Sequence, residues 1–265
     1  MKSRLEELRI VFSLDVYERA KQVLGDRTFG VLSPTEPLDI LGVFHAIKDV
    51  LAQIGIRPNF QTYEGTPVSE KRVKARLPRY GIPYLRVDGL ALQAGNIPGW
   101  KQSFLMVDEK SPGTASSWDQ WVAPFLGCPN FVQAWVADTE YNYWQNAEDT
   151  MLYTSAGRDM SGLKLKSNGQ HYPSERVIVD TSENPGRWEF RQGYIEAIGS
   201  PIWIGENLWR AIGENRENEL RALDWLHLTE PQKGVLRVEY DFQFIDEATA
   251  AKQNALREAI YGPGK

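Results

Sequence analysis

An Asp followed at a distance by a carboxylate-rich triplet ending in Lys is one spacing with which nucleases hold Mg²⁺. The chain carries it as Asp88 and, twenty residues on, Asp108, Glu109 and Lys110. Two carboxylates suit a hard cation that takes oxygen ligands, and a lysine beside them would stabilise charge developing on a phosphate. A metal-dependent nuclease using Asp88, Asp108 and Lys110 is therefore one reading. Against it, an Asp-x-Lys triplet arises by chance in many chains of this length. The net charge of −5 also opposes the phosphate neutralisation that nucleic-acid binding requires.

The other chemistry-bearing residues are sparse. His45, His171 and His227 are the only histidines, and none stands three or four residues from another His or Cys, so a mononuclear zinc site is not expected. Cys128 is the single cysteine, which excludes an internal disulfide, and its GCPN setting reads as a small buried hydrophobe. The glycines near expected strand ends, Gly25, Gly30 and Gly42, lack both phosphate-loop spacings, and no GxSxG elbow occurs. The expectation is a protein without cofactor or catalytic site that works by binding another protein.

The elements that would position such a surface are legible in outline. Arg9 to Leu14 reads as a first strand. Ile40, Val43, Phe44, Ile47, Val50, Leu51 and Ile54 recur at intervals of three and four, predicting a helix that stops at Gly55. A second helix is expected over Val68 to Tyr80, interrupted by Pro78; its Lys71, Arg72, Lys74, Arg76 and Arg79 read as a solvated face. Ser103 to Val107 is a buried strand. Between Gly157 and Pro185 the chain turns polar and rich in Gly, Ser and Asn, with one strand at Val177 to Val179. From Leu236 to Phe244 apolar and polar residues alternate as in a strand with one wet face, with Leu223 to Thr229 as its hairpin partner. Ala248, Ala251, Ala255, Leu256 and Ala259 then mark a terminal helix capped by Asp246. Strands and helices that do not alternate regularly predict an α+β fold, a mixed or antiparallel sheet packed with helices, ending in a β-hairpin followed by a helix. A single domain over residues 1–265 is expected, with a candidate boundary between two lobes near 157–185.

Hydrophobic residues make up 42% and charged residues 25% of the chain, an ordinary globular balance. Charge interrupts the N-terminus before a secretory apolar stretch develops and no run approaches a membrane span, so a cytoplasmic protein is expected. Nine Trp exceed the usual count; most read as core filling.

Asp180 to Gly205, DTSENPGRWEFRQGYIEAIGSPIWIG, resembles a segment of bacterial immunity proteins from polymorphic and type VI secretion toxin systems. The points of contact are Asn184, Pro185, Gly186 and Arg187, and Trp203, Ile204 and Gly205 as a WxG motif. The chain looks like the immunity protein 52 group, whose cognate toxins have restriction-endonuclease-like folds. That resemblance implies an antidote that binds a nuclease toxin directly, contacting neither membrane nor nucleic acid itself. Taken alone, NPG is a turn tripeptide presenting Arg187 and Trp188 in a set direction, and Ile202 to Gly205 leads into a helix over Glu206 to Ile212 capped by Gly213.

An inhibitor of an electropositive active site would offer carboxylates. Two stretches qualify as partner-binding surfaces. One runs through Asp138, Glu140, Tyr141, Tyr143, Trp144, Glu148 and Asp149. In the other, Glu206, Glu214, Glu217, Glu219 and Asp224 outnumber Arg210, Arg216 and Arg221.

Overall fold

Side chains alternate through the strand β1 (Glu6–Ser13): Leu8, Ile10 and Phe12 enter one core, while Val11 enters a second on the opposite face. A strand buried on both sides needs cover on both sides, and the chain supplies it. The structure, a computed structural model, describes residues 4–24, 27–213, 215–240 and 249–263. After β1 come a ribbon of β2 (Val16–Leu24) and β3 (Arg27–Pro34), the helices α1 (Ile40–Gln53) and α2 (Glu70–Tyr80), and the hairpin β4 (Ile82–Val87) and β5 (Leu90–Ile97). Then follow β6 (Gln102–Glu109), α3 (Trp118–Val122), β7 (Phe131–Asp138), α4 (Thr139–Asn146), α5 (Thr150–Ser155) and the short pairs β8 (Leu165–Ser167) with β9 (Val177–Val179) and β10 (Glu189–Arg191) with β11 (Tyr194–Glu196). The chain finishes with β12 (Ile202–Gly205), α6 (Glu206–Ile212), α7 (Asn215–Arg221), β13 (His227–Gln232), β14 (Val235–Glu239) and α8 (Ala250–Tyr261).

Eight strands form one antiparallel sheet in the order β13-β14-β12-β7-β1-β6-β5-β4. The fold is α+β, with a hairpin and then a helix at its C-terminal end. Strands from both sides of residues 157–185 share the sheet. The first face packs against the apolar stripe of α1, Val73 and Leu77 of α2, and Trp121 of α3. The second packs against Leu208 and Trp209 of α6, Leu220 of α7, Leu256 and Ile260 of α8, and Ile195 of β11.

Four of the nine tryptophans are core and four more are partly buried against it. Trp121, Trp135, Trp203 and Trp209 are buried, and only Trp100 is more than a third exposed. The WxG motif is explained by packing. Trp203 faces the first core with Arg237 over its ring at 5.7 Å, and a Cβ on Gly205 would lie 2.9 Å from the Phe131 carbonyl oxygen.

Several expected elements are displaced. The second helix starts at Glu70, capped by Ser69, and runs through Pro78 instead of breaking there. Pro78 lies in the last turn, where its missing N–H frees only the Lys74 carbonyl. The strand expected over Ser103 to Val107 extends to Gln102–Glu109, which brings Asp108 and Glu109 into the sheet. The partner of β14 is His227–Gln232, not Leu223 to Thr229; Pro231 is accommodated on this edge strand where the register breaks between Thr229 and Gln232. Phe242, Phe244 and the expected cap Asp246 lie outside the described residues. The ribbon of β2 and β3 and the partner strand β8 had no counterpart in the sequence reading.

Trp203→Ala is expected to lower the unfolding free energy by about 3–5 kcal/mol, the usual cost of emptying a fully buried Trp site. Urea denaturation checks this, and a loss well under that range would place Trp203 outside the core.

Candidate partner-binding surface

The first acidic stretch begins where β7 leaves the sheet. Asp138 caps α4, its carboxylate accepting from the Tyr141 N–H at 2.7 Å, and Glu140 sits in the first turn against the positive end of the helix. Asp149 caps α5 in the same way, accepting from the Met151 N–H at 2.9 Å. The two helices and β9 close a small satellite core of Ala147, Tyr153 and Val179. Trp144 belongs to it: its ring meets Tyr143 and Tyr153 at 4.9 Å each, and the Arg158 guanidinium covers it at 4.2 Å. Burial pushes the Tyr153 hydroxyl above its usual pKa, consistent with a dry interior.

Of the expected contact residues here, Glu140 faces solvent, Trp144 is half-buried, and Tyr141 turns inward, donating from its hydroxyl to Gln253 Oε1 at 2.5 Å on α8. Tyr143, from the expected stretch, is exposed, and beside it the lobe exposes apolar residues outside that expectation: Met151, Leu152, Leu165, Tyr172 and Val177. Tyr172 is 91% exposed at the far end of the β8–β9 hairpin. The only signal for them was the presence of large apolar residues inside a polar, turn-rich tract.

The NPGR turn holds the lobe to the body. Asn184 Nδ2 donates to the Gln145 carbonyl, the Gly186 N–H donates to Gln145 Oε1, both at 2.9 Å, and the Trp188 N–H donates to Asn146 Oδ1 at 2.6 Å. Gly186 is required sterically, since a Cβ there would lie 2.8 Å from Gln145 Cγ and Tyr141 Cε1. From the other side Arg257, on α8, donates to the carbonyls of Pro185, Arg187 and Glu196. Burial, aided by the nearby Arg187, lowers the Arg257 pKa to about 10. Trp188 is thereby set edge-on to Trp135 at 5.6 Å and over Arg9 at 5.3 Å. Asn184, Pro185, Gly186 and Arg187 are thus a clamp between the lobe, α8 and the sheet.

The second acidic stretch is largely neutralised within its own helices. Glu206 pairs with Arg210 at 2.8 Å, Glu219 with Arg216 at 2.6 Å and Glu217 with Arg221 at 2.6 Å. Glu214 lies outside the described residues. The basic helix face is likewise solvated: Lys71, Arg72 and Arg76 are exposed. Lys74 and Lys48 both reach Glu70 at 2.8 Å and hold its carboxyl down at about 2.

The Asp108, Glu109, Lys110 triplet is spent on structure. Adjacent strand residues point to opposite faces, so the two carboxylates do not converge. Asp108 stands 3.6 Å from both Arg9 and Lys110, while Glu109 accepts from the backbone N–H groups of Ala115 and Glu6. Asp88 is an exposed turn residue with φ of 31°. Among the described residues no group of three His, Cys, Asp or Glu side chains is placed to hold a metal ion. His45, His171 and His227 are all exposed. Cys128 is half-buried against the first core, and burial raises its thiol pKa. No described helix is long and apolar enough to cross a membrane.

No family model matches the chain, no curated protein matches it, and no solved structure matches its fold.

Two outcomes follow from this geometry. Arg257→Ala leaves three carbonyls without their donor and is expected to cost about 3 kcal/mol in urea denaturation. A cost under about 1 kcal/mol would show that the clamp holds without it. Beside the clamp, Glu7 bonds to Arg9 at 2.8 Å, and burial raises its pKa from the usual 4.5. A carboxyl raised in the folded state contributes stability that is complete below pH 4.5 and is lost as the pH climbs through the raised value. The unfolding free energy of wild type relative to Glu7→Gln is therefore expected to fall across that window; a difference independent of pH would refute the shift.

Proposed function

We propose that the protein neutralises a secreted bacterial toxin, a nuclease, by direct stoichiometric binding in the cytoplasm. The lobe from α4 through β9 is the face offered to the toxin. The observation that carries this reading is the composition of the lobe. Between Asp138 and Glu183 stand eight carboxylates and four cations, a net of −4 out of −5 for the whole chain. Among them Tyr143, Met151, Leu165, Tyr172 and Val177 are exposed. Lys164, Lys166 and Arg176 pair with Glu183, Asp180 and Asp149, and the net negative charge that remains, with exposed apolar groups set in it, fits an electropositive protein partner: the field raises the association rate and the desolvated rings slow dissociation.

The resemblance of NPGR and WxG to the immunity protein 52 group supports the same class of function. Both motifs support it through the framework. They set the clamp and the β12–α6 junction, leaving the contact surface to the residues around them, which suits a scaffold shared by inhibitors with different targets.

Titrating the purified protein into the product of the adjacent reading frame is expected to give a one-to-one complex and to abolish nuclease activity. Glu140→Lys combined with Glu148→Lys should cut the association rate about tenfold at low salt, whereas Tyr143→Ala and Tyr172→Ala should each raise the dissociation rate, about tenfold for a residue worth 1.4 kcal/mol. Absence of a complex at micromolar concentration would sink the proposal. A complex indifferent to all four substitutions would move the contact elsewhere.

A further inference from the structure

The ribbon of β2 and β3 stands away from both cores: every described residue from Tyr17 to Val23 and from Thr28 to Leu32 is exposed. Even so it carries Tyr17, Val23, Phe29, Val31 and Leu32 at 36–69% exposure. A lone two-stranded hairpin is marginal in water, and a third strand is what gives a sheet its own stability. Neither β2 nor β3 belongs to the main sheet.

Its two outer edges differ in kind. The β2 edge carries Glu18, Arg19 and Lys21, and the register slips between Glu18 and Ala20, so that Arg19 bulges from the ladder. Charge and a bulge are what keep another strand off an edge. The β3 edge has neither: from Thr28 to Pro34 there is no charged residue, and its own residues pair in unbroken succession. Phe29 and Val31 lie on one side of it, together with Tyr17, whose register partner is Ser33.

We propose that β3 pairs antiparallel with β3 of a second copy of this chain. The result is a four-stranded sheet in the order β2, β3, β3, β2 across a two-fold axis near Gly30. Pairing about Gly30 sets Phe29 opposite Val31 of the partner subunit, and the two-fold axis makes this aromatic to β-branched pair twice. The facing strands carry no charge of their own, and the nearest charged side chain is Glu18 of each subunit's β2, which leans over Gly30. The protected β2 edges become the rims of the dimer, so association stops at two instead of growing into a fibre. The contact is separate from the acidic lobe and independent of what that lobe binds.

Sedimentation equilibrium of the purified chain from micromolar to submillimolar concentration is expected to show a monomer–dimer equilibrium. Phe29→Lys and Val31→Lys should each weaken the dimer about tenfold or more. Val23→Lys, a change at a still more exposed position on β2, should leave it unaltered. Thermal melts establish that the variants are folded, and the wild-type protein supplies a second readout: amide exchange at Thr28–Leu32 should slow as concentration rises. A monomer throughout the range would overturn the proposal. So would equal disruption by Val23→Lys, which indicates contact through the ribbon faces, or exchange at β3 that ignores concentration, which leaves the edge for a different protein.

Discussion

Burial of β7 on both faces is the constraint from which the rest of the arrangement follows. Seven of its eight residues are buried, and it hydrogen-bonds to β1 on one side and β12 on the other. A strand so placed must alternate between two dry cores, and Trp135 and Ala137 on one side answer Ala134 and Val136 on the other. Close approach is enforced beside it. A Cβ on Gly199 would lie 2.1 Å from the Val136 carbonyl oxygen, so only glycine lets the chain enter β12 along this path. Because β7 runs straight into the cap of α4, its position also sets the direction in which the acidic lobe leaves the sheet.

The lobe has little core of its own. Three buried residues and a few half-buried ones cannot hold some fifty residues by apolar burial alone. The deficit is met by directional bonds: Gln145 and Asn146 grip the NPG turn from the lobe, and Arg257 grips it from α8. This division separates roles along the chain. Conformationally special residues such as Gly186 and Gly205 serve the frame, while conformationally ordinary ones such as Tyr143 and Tyr172 stand exposed at the surface.

Periodicity made α1 and β14 legible, and short apolar runs and the Gly213 cap made β1 and α6 so, because each buries a clean face or run against a core. The ribbon of β2 and β3 escaped because it buries nothing. Its residues show no solvent-to-core alternation, and the short separation of its two strands was the only signal. Arg257 escaped for the opposite reason: an arginine beside an apolar helix stripe reads as solvated until the carbonyls that receive it, seventy residues away, are in place. The acidic stretches were visible as composition, but only coordinates show which carboxylates are paired: Glu206, Glu217 and Glu219 on α6 and α7, and Asp149, Asp180 and Glu183 in the lobe.

The central claim is that the α4 to β9 lobe is the face that meets a cationic protein partner. Hydrogen–deuterium exchange of the chain alone and in complex with the product of the adjacent reading frame tests it most directly. Slowed exchange concentrated in Glu140–Ser155 and in the β8–β9 hairpin is predicted. An unchanged lobe, with protection confined to α6 and α7 or absent everywhere, would contradict it.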